Sequence, residues 1–262
     1  MLAGDAQALA RNGVEYTVLD REAARRLVPS LSDRATSALL VPSHGYVAAS
    51  ALTEAVVDAA RAHGVRLITA AVRGIEGGAG KARVTTDEGI IESDVVIVAS
   101  GSWMVPSRPA EGPSVKPIRG QLVQLRCDAA LASQVIWGQA CYLVPWSDGT
   151  VLVGATVEDV GYDERPTAEG VRSLLSAAIG LVPSLECAQF EEVRVGFRPK
   201  ATDELPIIGR SEAMPSVFYA VGHYRNGVLL APLTAALMAD LVLEDRERAE
   251  LALVRPGRLA NA

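Results

Sequence analysis

Two arginines have types and settings that could hold a small carboxylate, and a tyrosine could bring a hydroxyl into a pocket. Arg225 lies between the glycine turn Gly222-His223-Tyr224 and an apolar run from Val228, flanked by Asn226 and Gly227. A helix starting there would aim free backbone N–H groups at an electron-rich ligand. A guanidinium beside them would grip a carboxylate through two parallel hydrogen bonds. The competing reading is a surface arginine paired with a carboxylate side chain. Arg198 closes an extended run in Gly196-Phe197-Arg198-Pro199, where the proline interrupts a ladder. At the rim of a sheet it could anchor a carboxylate or simply be solvated. Tyr142, in the apolar run Cys141–Pro145, brings a hydroxyl either into a pocket or into a core where it is satisfied.

Two further positions stand at strand-to-glycine junctions, Val98-Ala99-Ser100-Gly101 and Ala220-Val221-Gly222-His223. Open α/β sheets bind ligands at the carboxyl ends of their strands, where glycine lets backbone approach closely. Two such junctions suggest one large cofactor touched twice, or merely two turns. No G-x-G-x-x-G, Walker A, H-E-x-x-H or G-x-S-x-G pattern occurs. The cluster Gly74 to Gly80 precedes a hairpin, not a helix, so it is expected to be only a turn.

The elements that must position these residues are read from periodicity. Leu2, Ala6, Leu9 and Ala10 give a helical stripe with Gly13 as C-cap. Residues 14–19 form a strand, and Asp20 caps a short helix before Pro29. Ser50 is expected to cap a helix ending at Gly64, followed by a strand over 65–72. Residues 83–86 and 89–92 pair as a hairpin. The run 94–99, DVVIVA, reads as a parallel strand buried on both faces. Strand-like segments follow at 120–126, 141–145, 151–157 and 191–197, with Ser147-Asp148-Gly149 as a hairpin turn and a helix over 167–181. A strand at 217–221 leads into a helix over 228–242, and the tail from Arg255 is loose. This is a mixed α/β (α+β) chain: an α/β module interleaved with an antiparallel-sheet module.

Bulk properties narrow the function classes. The 262 residues are 49% hydrophobic and 21% charged with a net charge of −6, which fits a folded domain and disfavours nucleic acid as main partner. No apolar run reaches the roughly 18 residues of a membrane span, and no secretory signal opens the chain. Cys127, Cys141 and Cys187 fit neither a disulfide framework nor a zinc site, so no metal is expected. Free thiols suit a cytoplasmic location.

Together the segments VVIVASGSWM, VKPIRGQLVQL, YLVPWSDGTVLVGAT, GFRPKATDELPIIGR and GHYRNGVLLAP resemble the D-amino-acid oxidase superfamily, in particular its glycine oxidase (ThiO-like) branch. The resemblance implies an incomplete Rossmann-like FAD-binding domain over 46–113 and 202–262, and a substrate domain over 10–45 and 114–201. It places the substrate carboxylate on Arg198, with Arg225 close to substrate and flavin and Tyr142 as the active-site tyrosine. Val157 stands at a pocket position where the branch often has methionine, which would reshape the pocket. FAD would meet Val72 on its adenine side, then Ala99, Ser100 and Gly101. Its ring would meet Gly222, His223, Tyr224, Arg225, Asn226, Gly227, Val228 and Leu229. No cysteine stands in the GFRPKATDELP segment, so FAD would be bound non-covalently. No side chain acts as a strong base; the flavin performs the chemistry.

The implied reaction is oxidative deamination of glycine or another small amine or D-amino acid. It gives an imine or 2-oxo acid, ammonia and peroxide, with a place in making the thiazole of thiamine. The partners expected are a small amino acid and oxygen or another electron acceptor, with homo-oligomerisation open. Family members begin with a strand, G-x-G-x-x-G and helix, a unit of roughly 30 residues. The chain therefore reads as N-terminally truncated. Two alternatives stay open: a dehydrogenase of the same fold passing electrons to a quinone, and an inactive remnant.

Overall fold

The computed structural model describes residues 2–78, 80–108, 112–128 and 131–259. The chain forms two compact units. One comprises Met1–Ala48, Gly120–Glu158 and Glu164–Gly196; the other comprises Ala49–Arg119, Asp159–Asp163 and Phe197–Ala262. The mixed α/β class expected from the residues is what the chain adopts.

A sheet whose larger part lies in the first unit runs in the order Gln189–Ala201, Val115–Arg126, Thr150–Gly154, Tyr142–Pro145, Ile136–Trp137. Register pairs Val153 with Val123 on one side and with Leu143 on the other. These β-branched and apolar residues share one face, as period-two alternation requires. That face is covered by the helix Ala168–Leu181, whose Leu174 and Ala178 pack with Val123, Leu125, Leu143, Val151 and Val153. Thr167 caps the helix by accepting from the Gly170 N–H at 3.1 Å. At the other end of the sequence, helix Leu2–Arg11 stops where Gly13 takes φ 66°, the expected left-handed cap. Asp20 caps helix Arg21–Leu27 by accepting from the Ala23 N–H at 2.8 Å.

The second unit holds two sheets. In one, Ile207–Arg210 runs antiparallel to Val217–Val221, which runs parallel to Val96–Val98. In the other the order is Gly89–Ser93, Ala82–Thr86, Val72–Gly77, Ser107–Arg108. Helix Gly227–Leu243 lays Leu237, Met238 and Leu241 on Ile208 and Phe218. Among the described residues no helix is long and apolar enough to cross a membrane, and no group of side chains could hold a metal ion.

Four local expectations are corrected. Ser50 lies inside helix Ala49–Ala62, not at its cap. Residues 65–71 form no strand; the strand is Val72–Gly77, paired with Ala82–Thr86. The glycine cluster is thus strand up to Gly77, after which the Gly78 N–H donates to the Lys81 carbonyl at 3.0 Å. Gly77 is there for close approach: a Cβ would fall 2.7 Å from Met214 Cβ. The run 94–99 is a strand only at Val96–Val98, and Ile97 is 47% exposed. A neighbouring strand bonds one edge of this segment, and one face stays uncovered among the described residues.

Gly77→Ala should therefore destabilise the chain by about 1–3 kcal/mol through overpacking. Gly196→Ala, with open space at its Cβ and ordinary backbone, should be near neutral. Urea unfolding of both variants checks this; equal midpoints would remove the close-approach explanation.

Candidate functional site

The parallel strands Val96–Val98 and Val217–Val221 lie in register, Val217 opposite Val96 and Tyr219 opposite Val98. Each leaves the sheet through a left-handed glycine, Gly101 at φ 61° and Gly222 at φ 75°. Side-by-side exits at carboxyl ends make a crevice where backbone can approach a ligand. A Cβ at Gly101 would meet nothing within 4 Å, whereas one at Gly222 would lie 3.3 Å from Ala201 Cβ.

After Gly222 the chain is stitched to the strand Gln189–Ala201. His223 forms a bridge with Lys200, and the Tyr224 N–H donates to the Pro199 carbonyl at 2.7 Å. The backbone next to Arg198 and the backbone leading to Arg225 are thereby held together. Tyr224 itself adopts φ 48°, an uncommon conformation for a residue with a side chain. The Lys200 ammonium lies 5.3 Å from its ring centroid. The His223 ring shares a hydrogen bond with Thr234 Oγ1 at 3.0 Å, tying the turn to helix Gly227–Leu243. Burial lowers the His223 pKa from its ordinary value, favouring the neutral ring.

The start of that helix is open. Asn226 makes no side-chain cap bond, which leaves the first-turn N–H groups facing outward. Arg225 is exposed and forms no ion pair among the described residues, and Leu229 is 78% exposed. Across the crevice Ser102 is 1% exposed, yet its hydroxyl and that of Ser100 have no hydrogen-bond partner among the described residues. Buried polar atoms without partners are uncommon and call for explanation. Ala99 beside them is exposed, and Val72 is exposed at the first position of its strand.

Sequence reasoning missed three aromatic rings that set the Arg198 strand. Phe197 lies edge-on to Trp103 at 6.0 Å and to Tyr162 at 5.7 Å between centroids. The Tyr162 hydroxyl donates to the Ser102 carbonyl at 2.5 Å. These contacts tie the Gly101 exit to the residue preceding Arg198, within one unit. Nothing in the local pattern marks three rings so far apart in the chain.

Tyr142 and Val157 belong to the other unit. Tyr142 is half-buried, packed over Gly154. Val157 is 56% exposed in the loop after Thr150–Gly154. That loop is pinned by Gln121, a fully buried residue the sequence did not flag. Its N–H donates to Thr156 Oγ1 at 2.8 Å, and its amide donates to Glu158 at 2.7 Å and to Thr167 Oγ1 at 3.0 Å.

The FAD expected from the sequence fits the crevice residues on three counts. There is open space at Gly101, there are two buried unpartnered serine hydroxyls, and there is an uncapped helix start beside Gly222. These would hold the ring and adjoining chain of a flavin.

His223 gives a pH test of this turn. In the unfolded chain the imidazole takes up a proton as pH falls below its usual range, while the buried ring resists it. The stability it contributes is complete above that range and declines as pH falls through it toward the lowered native value. His223→Gln should flatten this decline between about pH 7.5 and about pH 5.5, read as urea midpoints; an unchanged slope would show that His223 does not set it.

Comparison with known proteins follows from this geometry. The model of the DAO family, FAD dependent oxidoreductase, matches residues 2–241. The bifunctional protein ThiO/ThiG of Nostoc sp. is 37% identical over 236 residues, covering 87% of this chain and 35% of the relative. A glycine oxidase of Geobacillus kaustophilus is 35% identical over 229 residues, covering 86% of this chain and 61% of the relative. The crystal structure of glycine oxidase from that organism superposes with a TM-score of 0.89 at 33% identity, covering 95% of this chain and 69% of that one. The chain thus spans about a third of the bifunctional relative and three fifths of the curated glycine oxidase.

Proposed function

The chain belongs to the DAO family of FAD-dependent oxidoreductases, and from that premise we propose that it oxidises glycine or another small amine or D-amino acid. The observation that carries this proposal is the pair of glycine exits, with Arg225 and an open helix start following Gly222.

Ala99, Ser100 and Gly101 on one strand end, and Gly222 to Leu229 on the other, would hold FAD without a covalent link. Val72 would take a place on the adenine side. No cysteine stands between Gly196 and Pro206 to form such a link. FAD held there would supply a two-electron acceptor for oxidation of an amine to an imine, whose hydrolysis would give a 2-oxo acid and ammonia, with peroxide where oxygen takes the electrons. The first-turn N–H groups of helix Gly227–Leu243 favour negative charge on whatever faces them.

Arg198 grips the substrate carboxylate bidentately, and Arg225 adds positive charge near it. Tyr142 and Val157 are assigned to substrate recognition, the first through its hydroxyl and the second through its bulk. With the carboxylate fixed, the α-hydrogen is oriented without a strong base. Neutral His223 braces the turn through Thr234. We assign residues 46–113 and 202–262 to cofactor binding and residues 10–45 and 114–201, which include Arg198, Tyr142 and Val157, to substrate recognition. The ThiO/ThiG relatives favour a role supplying the imine for the thiazole of thiamine, in the cytoplasm.

The test is to add FAD to the purified 262-residue chain, pass it through gel filtration and record the visible spectrum. A retained flavin band that glycine or a D-amino acid bleaches without oxygen is the expected result. A colourless protein, or a flavin that no amino acid bleaches, would overturn the proposal for this chain.

A further inference from the structure

We propose that Trp137 is a positioning residue for Tyr142, holding its phenol in one orientation for a substrate carboxylate. This role presupposes that Tyr142 meets the substrate, as proposed above.

Tyr142 is clamped by its two cross-strand neighbours. On one side it pairs with Gly154 in the antiparallel ladder. A Cβ at Gly154 would fall 2.3 Å from the Tyr142 ring carbon Cζ and 2.4 Å from its hydroxyl oxygen. The tyrosine ring therefore lies directly over this glycine, with its hydroxyl end across the neighbouring strand. On the other side Tyr142 pairs with Trp137, and the two rings stand 4.9 Å apart, tilted by 39°. His44 stacks on Trp137 in turn, at 5.6 Å and 24°. The run His44, Trp137, Tyr142 lies within one unit.

Core packing does not account for Trp137. It is 53% exposed and sits in the two-residue edge strand Ile136–Trp137. Its neighbour Ile136 supplies the contact with the core cluster. What the indole does touch is the ring of Tyr142 and the imidazole of His44. A tyrosine free to turn about two torsions loses that freedom when its hydroxyl binds a ligand, and a ring held beforehand does not. The hydrogen bond to a carboxylate exists before and during the reaction alike. Loosening it should raise KM and leave kcat nearly unchanged.

Trp137→Leu should raise KM for the amino acid by roughly 2–10-fold, the size of one aromatic pair, with kcat little altered. Trp137→Phe should recover most of the loss. In a Tyr142→Phe background, Trp137→Leu should add nothing. A readout independent of turnover uses chain in which the six tyrosines are replaced by 3-fluorotyrosine. The fluorine resonance missing in Tyr142→Phe is that of Tyr142. It should move in Trp137→Leu, as the indole ring current is lost, and return toward its place in Trp137→Phe.

A resonance that stays put overturns the proposal, as does an unchanged KM. A KM increase that persists in the Tyr142→Phe background also overturns it, since Trp137 would then act by another route. If the unaltered chain oxidises no amino acid, the proposed function fails and this role falls with it. An active parent with an indifferent Trp137→Leu removes the positioning role alone.

Discussion

Arg198→Ala should lower kcat/KM for an amino acid by two to three orders of magnitude, almost all of it in KM. Arg198 is half-buried near the end of strand Gln189–Ala201, between Phe197 and Pro199. Phe197 is held by Trp103 and Tyr162, and Pro199 accepts from the Tyr224 N–H. The guanidinium thus rises from backbone that is fixed on both sides, which limits the ordering left for binding. Losing two charge-assisted hydrogen bonds to a carboxylate removes about 3–4 kcal/mol, and each factor of ten corresponds to about 1.36 kcal/mol. Arg198→Lys should fall between, because an ammonium offers a point charge and no planar fork. The measurement is anaerobic flavin reduction against amino-acid concentration, with an amine lacking a carboxylate as control. The control rate should be indifferent to Arg198. An equal loss for both substrates would mean that Arg198 supports the fold instead.

Gly222→Val should abolish flavin retention and destabilise the chain, while Gly101→Ala should do mainly the first. At Gly222 two costs coincide: φ is 75°, and a Cβ would meet Ala201 Cβ at 3.3 Å. A β-branched residue is a poor occupant of that conformation. Such backbone strain costs about 1–3 kcal/mol, before repacking Ala201 and Ile207. At Gly101 φ is 61° but the space is open among the described residues. Alanine there carries the left-handed penalty of roughly 1–2 kcal/mol and places a methyl where a ligand would lie. Urea unfolding without FAD and flavin retention with FAD separate the two effects. If Gly101→Ala retains flavin as well as the parent does, the crevice is not where the cofactor sits.

How much of this was legible before the fold depends on whether a feature is contiguous. The turn from Gly222 to Gly227 was readable because strand, glycine, arginine and helix follow one another, and each announces itself by a local preference. The same holds for Asp20 as a cap, followed by a run of helix formers. The bond between Tyr224 and Pro199 was not readable, since it pairs backbone groups that carry no side-chain signature. Gln121 escaped notice because a lone amide in a strand looks like any surface position until three partners converge on it. Gly77 misled for a different reason. Glycine signals both turns and close approach, and only Met214, distant in sequence, decides which. The run 94–99 shows the remaining gap: apolar composition predicts that burial is available, not that a neighbour supplies it on both faces.

Unequal covering of the thiols gives one of the two units a clock of its own. Cys187 is exposed, Cys127 half-buried and Cys141 buried, and burial raises the Cys127 and Cys141 pKa values, keeping those thiols protonated. An alkylating reagent, which attacks thiolate, would mark Cys187 at once and reach Cys141 only when its surroundings open. All three cysteines fall in the unit that contains Gly120–Glu158 and Glu164–Gly196, and the other unit has none. Trp103 is conversely the one tryptophan outside that unit, the other two being Trp137 and Trp146. Alkylation of Cys141 therefore times the breathing of one half of the chain, and emission from Trp103 in a Trp137→Phe, Trp146→Phe background times the other.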